Sequence, residues 1–156
     1  MTNTRTAKIE RKTGETEVAL ELDLDGGEVS PQTGVGFLDH MLELLGRHGR
    51  LGLVVRASGD LETGAHHTVE DVGIALGQAM DIALGDKRGI VRFGHSAVPL
   101  DEALVAVTVD LSGRPFLVYN VKLRHQRVGN FDTELVHDFM QALMNAAKMN
   151  LHINKL

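Results

Sequence analysis

The chain has 156 residues, 43% of them hydrophobic, enough for one globular domain with its own core. A formal charge of −5 argues against a nucleic-acid partner, and the lack of cysteine excludes disulfides and thiolate metal sites. The stretch from Met1 to Glu10 has no leader-like apolar core and no run of about 18 apolar residues occurs, so a cytoplasmic protein without a membrane span is expected.

Val18, Leu20, Leu22 and Leu24 alternate with polar or small residues, which predicts a half-buried strand closing at Asp25-Gly26-Gly27. Residues 27–32 are placed as its hairpin partner. Phe37 to His48 has a helical pattern, with Gly46 and Gly49 loosening its end. Leu51, Leu53 and Val55 alternate as another strand. The longest predicted helix runs from about Ala65 to Leu84, with Val69, Val72, Leu76, Ala79, Met80 and Ala83 on one face. After a turn at Gly85 to Gly89 the order recurs. A strand spans Val105 to Leu111, a returning strand 115–121, a helix Thr133 to Ala147, and a strand Met149 to Ile153.

The recurrence is a duplication. Val18-Ala19-Leu20-Glu21-Leu22-Asp23-Leu24-Asp25-Gly26 matches Val105-Ala106-Val107-Thr108-Val109-Asp110-Leu111-Ser112-Gly113 without a gap. His40-Met41-Leu42-Glu43 likewise falls on Asp138-Phe139-Met140-Gln141, and Leu51-Gly52-Leu53 on Met149-Asn150-Leu151. The predicted fold is α+β: one domain over 1–156, made of two β-β-α-β-α halves, about 1–90 and 91–156. Ile153 is the mate of Val55, and only three residues follow it. The last helix of the second half is therefore expected to be missing, along with any histidine-rich segment at its start.

The segment richest in chemistry is His66-His67-Thr68-Val69-Glu70, at the predicted start of the long helix. On a helix His66 and Glu70 share a face, as do His67 and Glu70, while the two imidazoles diverge by roughly 100°. That arrangement suits a carboxylate shared with one ion while the second imidazole reaches another. The competing reading is a polar, solvated helix start with a Glu that favours the dipole. Without thiolates, nitrogen and oxygen donors favour Mn, Zn, Fe or Ni. His40 lies among apolar neighbours and reads equally as a boundary histidine, with Asp39 and Glu43 nearby to orient it. Its mate Asp138, beside His137, is a further oxygen ligand candidate. Arg92 and Arg114 stand near glycines and suit bidentate phosphate binding, though two solvated arginines explain the spacing as well. Glu15 is either an acid–base group or a surface turn residue. His48, His95, His125 and His152 show no partner pattern, and no P-loop or dinucleotide fingerprint is present.

The blocks Gly36-Phe37-Leu38-Asp39-His40-Met41-Leu42, Ala65-His66-His67-Thr68-Val69-Glu70-Asp71, Leu84-Gly85-Asp86-Lys87-Arg88-Gly89-Ile90, Arg92-Phe93-Gly94, Pro99-Leu100-Asp101-Glu102-Ala103 and Asp110-Leu111-Ser112-Gly113-Arg114-Pro115 closely resemble the imidazoleglycerol-phosphate dehydratases of histidine biosynthesis. The resemblance implies a ribosomal S5 domain 2-like arrangement, with helices between two mixed four-stranded sheets. It implies a hydro-lyase that converts imidazoleglycerol phosphate to imidazoleacetol phosphate, with two Mn2+ ions per site activating the imidazole ring. It also implies trimers assembling into 24 subunits, with metal sites at subunit contacts. By matching position, His40, His66, His67 and Glu70 are expected as metal ligands. Arg92 and Arg114 are expected on the phosphate. Glu15 is expected on the substrate and, with His67 and Glu70, in catalysis; His66, His67 and Glu70 also face the substrate. Where the family often has His, this chain has Asp138, with His displaced to position 137; Asp138 is the favoured ligand. A second His-His-x-x-Glu block is not found before Leu156. The 156-residue form is therefore expected to be inactive or weakly active and to stop at a smaller assembly. The rival expectation is a non-catalytic metal-binding or assembly module that keeps half of the site.

Overall fold

The computed structural model describes residues 4–156. Thr6–Lys12 (β1) and Thr16–Asp23 (β2) pair antiparallel, from Thr6 opposite Asp23 to Lys12 opposite Glu17. Alternation in β2 is clean. Thr16, Val18, Leu20 and Leu22 are buried on the inner face, while Glu17, Ala19 and Glu21 face out. β1 is an edge strand that buries only Ala7, and its exposed lysines discourage pairing with another chain.

Val29–Gln32 (β3), Gly36–Gly49 (α1) and Gly52–Gly59 (β4) follow. β4 joins β2 antiparallel and β3 parallel, giving the order β1-β2-β4-β3. Residues 27–32 are thus not the hairpin partner of β2. A parallel pair needs a crossover, and α1 supplies it between β3 and β4. α1 ends where Arg50 turns left-handed at φ 56, its N–H closing onto Arg47 and Gly46 carbonyls.

His66–Leu84 (α2) is the central helix. Val69, Val72, Ala75, Leu76 and Ala79 are at most 1% exposed, because one side of α2 lies on β1 and β2 and the other on Leu135–Ala147 (α3). The two helices approach closely at Gly77. A Cβ there would stand 2.5 Å from the Leu143 carbonyl oxygen and 2.8 Å from the Ala147 nitrogen, so no other residue fits without separating the helices.

The second half repeats the plan. Phe93–Leu100 (β5), Ala103–Asp110 (β6), Phe116–Asn120 (β7) and, after α3, Asn150–Lys155 (β10) form a sheet of order β5-β6-β10-β7. β10 runs antiparallel to β6 and parallel to β7, as β4 does to β2 and β3. The returning strand of 115–121 therefore pairs with β10 and not with its sequence neighbour. Each half carries one strand more at its start than the sequence pattern gave, namely β1 and β5. Arg127–Val128 (β8) and Phe131–Asp132 (β9) add a short hairpin with no counterpart in the first half. The sheets are mixed, the helices lie between them, and among the described residues no helix follows β10 as α2 follows β4.

Asp81 ties the far end of α2 to its surroundings. Its carboxylate accepts from Lys87 Nζ at 2.8 Å and Lys148 Nζ at 2.6 Å, while its side chain is 22% exposed. Burial pushes its pKa up, but the hydrogen bonds from Lys148 and Lys87 outweigh that and hold it below the ordinary carboxylate value. A carboxyl depressed on folding stabilises above its unfolded pKa of about 3.9, and that contribution is lost as pH falls through the lower folded value. Asp81→Asn is expected to cost about 1 kcal/mol at pH 7, Lys148 being largely solvated. Urea midpoints at neutral and acid pH should show the gap closing as pH falls below about 4.

Candidate active site

The start of α2 is held by a buried carboxylate. Asp71 is 7% exposed and accepts from Arg11 Nε at 2.9 Å and from the Thr16 hydroxyl, with Thr13 Oγ1 at 3.4 Å. Arg11 belongs to β1 and Thr16 to β2, so this network fixes the first turns of α2 against the sheet edge. Gly59 completes the fit, since a Cβ there would lie 2.2 Å from Thr68 Oγ1. The helix begins at His66 without a side-chain cap, and Glu70 opens its second turn.

The two imidazoles diverge into different surroundings, with ring centroids 5.8 Å apart and planes at 71°. His66 points across to α3: its Nδ1 lies 3.3 Å from Asp138 Oδ2, and its Nε2 lies 3.6 Å from Glu70 Oε2. These three residues, with Ile74, Gln141 and Asn145, line an open groove of about 400 Å³ between the helices. His137 turns away and meets the Tyr119 ring edge-on at 5.2 Å, which leaves Asp138 as the member of that pair facing His66.

His67 is paired with Asp60, not with Glu70. Its Nδ1 stands 2.9 and 3.1 Å from the two Asp60 oxygens. The hydrogen bond to Asp60 raises the His67 pKa, and the charges of Glu15 and Asp71 add to this. Asp60 is held low by the Thr63 hydroxyl first and by His67 second. The Asp60 amide donates to the Glu15 carbonyl at 3.2 Å, which brings Glu15 to the same corner.

Elsewhere, Arg92 meets Asp110 at the end of β6, near enough to Arg114 for the charge of Arg114 to be felt. Arg92 grips Asp110 through Nε at 2.6 Å and a second nitrogen at 3.0 Å. That hydrogen bond holds the Asp110 pKa down, and the charge of Arg114 contributes. His40 is exposed on α1, in a separate shallow groove with Asp39 and Glu43. The structure thus makes three groups of the expected residues: His66, Glu70 and Asp138; His67 and Glu15; Arg92 and Arg114. His40 stands alone. Among the described residues no three His, Asp or Glu side chains close into a metal centre.

A family model described as imidazoleglycerol-phosphate dehydratase matches residues 33–156. An imidazoleglycerol-phosphate dehydratase of Streptococcus mutans is 59% identical over 153 residues, covering 97% of this chain and 79% of that protein. One of Heliobacterium modesticaldum is 57% identical, with 97% and 78% covered. The chain belongs to the imidazoleglycerol-phosphate dehydratase family. The crystal structure of the Staphylococcus aureus dehydratase superposes with a TM-score of 0.88 at 38% identity, covering 97% of this chain and 84% of that one. Membership makes it a hydro-lyase of histidine biosynthesis. Among the described residues no helix is long and apolar enough to cross a membrane.

Two dehydratase residues escape a reading by sequence pattern. Asp60 lies outside the pentad, across the Asp60–Gly64 turn, and only that turn carries it back to His67. Asp110 falls on a polar position of the alternating strand Val105 to Leu111, yet nothing in the pattern pairs it with Arg92. Its position two residues before Ser112-Gly113-Arg114 was the one usable signal.

Proposed function

We propose that this chain supplies part of a site for two manganese ions at which imidazoleglycerol phosphate is dehydrated to imidazoleacetol phosphate. The observation that supports this best is the convergence of His66, Glu70 and Asp138 on one groove. Imidazole nitrogen and carboxylate oxygen suit first-row divalent ions, and without cysteine no thiolate competes. The fit is partial, because the donors number too few to close a sphere among the described residues. His66, Glu70 and Asp138 would hold one ion from one side, and His67 would offer another the nitrogen that does not face Asp60. His40, remote on α1, would contribute at a subunit contact within a cytoplasmic homo-oligomer, the 156-residue form stopping at an assembly smaller than the 24 subunits of the complete family enzyme.

When bound, manganese would supply Lewis-acid polarisation of the substrate's imidazole. The remaining work falls to this chain's side chains. Arg92 and Arg114 bind the phosphate with paired N–H donors, which requires the phosphate to displace Asp110 from Arg92. Glu15, whose carbonyl accepts from the Asp60 amide, would carry a proton to or from the glycerol arm as water leaves. Glu70 and His66 orient the ring.

The incomplete donor set favours a second reading, a metal-binding or assembly module without turnover. By either reading the 156-residue polypeptide is expected to turn over little or nothing; ordinary rates with added Mn(II) would contradict this. The two are separated by a chimera that continues the chain after Leu156 with the residues following the matched region of the Streptococcus mutans relative. The dehydratase reading expects Mn(II)-dependent formation of imidazoleacetol phosphate, lost in Glu70→Ala. A folded, metal-binding chimera that forms no product would favour the module.

A further inference from the structure

Asp60 is the first residue after β4, and its backbone is fixed from two sides. Its amide donates to the Glu15 carbonyl at 3.2 Å, and its carbonyl accepts from the Thr63 amide and hydroxyl, each at 2.9 Å. Its carboxylate is fixed as well, since Thr63 Oγ1 also lies 2.9 Å from Oδ2. Both carboxylate oxygens then face one ring nitrogen, His67 Nδ1, at 2.9 and 3.1 Å. An ionised carboxylate only accepts hydrogen bonds, so the hydrogen of a neutral His67 ring belongs on Nδ1. The lone pair is thereby assigned to Nε2. His66 has no such assignment, because carboxylates face both of its nitrogens, at 3.3 and 3.6 Å.

We propose that Asp60 is a positioning residue, which fixes His67 as its Nδ1–H tautomer and aims Nε2 as the nitrogen available to a metal ion. This rests on the metal reading of His67 given above. The physical logic is that of a ligating imidazole whose other nitrogen donates to a carboxylate, which sets the tautomer, holds the ring and makes the ligating nitrogen more basic. Neighbouring histidines of one pentad would then differ in kind: His67 pre-set by the turn before the helix, His66 set only when something binds.

Long-range proton–nitrogen NMR on the 15N-labelled, metal-free chain, with its rings neutral, reads the tautomer directly. The wild type is expected to show His67 with the hydrogen on Nδ1, and Asp60→Ala to show a mixture of both forms. Thermal midpoints and amide spectra of Asp60→Ala and Asp60→Asn establish that both fold. An Nε2–H pattern in the wild type, or an unchanged Nδ1–H pattern in folded Asp60→Ala, overturns the proposal. In a parallel Mn(II) titration Asp60→Ala should weaken binding by about 10–100-fold, the usual effect of losing such a partner. A tautomer that switches with no change in Mn(II) affinity overturns the assignment of Nε2 to the ion. If the wild type binds no Mn(II), the metal reading fails, while the tautomer still decides the role of Asp60.

Discussion

Replacing His66 and Glu70 together by alanine is expected to weaken Mn(II) binding by more than about 100-fold. Loss of a residue that merely supports a ligand costs about 10–100-fold, and here two donor side chains leave at once. Only Asp138 would remain of the three groups that face the groove between α2 and α3. Both side chains are about half exposed, so the change should leave folding stability within about 0.5 kcal/mol. Free Mn(II), followed by its paramagnetic resonance during titration, gives the affinity. His95→Ala is the control, because His95 Nδ1 pairs with Thr108 Oγ1 on β5 and β6. A loss below tenfold in the double variant, or an equal loss in the control, would remove His66 and Glu70 from the proposed site.

How much of this could be read before folding depends on how local each feature is. β2 was legible because its inner face is apolar at every second position and fully covered. β1 was not, since Ala7 is its single buried residue and Lys8, Glu10 and Lys12 give an edge strand a polar look. β5 hides for another reason: Phe93 to Leu100 shows no apolar alternation, and all but Gly94 is exposed. The parallel partners of β3 and β7 were out of reach because a short gap between two strands reads as a hairpin. The crossover is visible only once α1 is seen to pack beside β3 and β4. At the site, helical spacing placed Glu70 beside His66, which the structure keeps. The same spacing offered Glu70 to His67, but the Asp60 turn delivers a better acceptor, and a turn's direction is not encoded by periodicity.

Leu20→Ala is expected to destabilise the chain by about 2–5 kcal/mol, whereas Val107→Ala, at the equivalent but only half-buried position of the repeat, should lose far less. Val18 and Val105 make the matched test, since the same two methyl groups leave a strand position that the duplication equates. Val18 is 1% exposed and lies under α2. Val105 is only half-buried, because among the described residues no helix lies across β5 and β6 as α2 lies across β1 and β2. At about 0.8 kcal/mol per methylene plus a cavity contribution, Val18→Ala should cost about 2–3 kcal/mol and Val105→Ala less than about 1. α1 carries the same asymmetry. Met41 and Leu45 are 37% and 40% exposed, while their mates Phe139 and Leu143 are each 8% exposed beneath α2. The strand and the helix are thus both bare on the side where, among the described residues, no helix matches α2. Equal urea-midpoint shifts for Val18→Ala and Val105→Ala would mean that the β5–β6 face is covered in solution. A shift confined to Val18→Ala would mean that the β5–β6 face is open in solution and that α2 covers the first sheet alone.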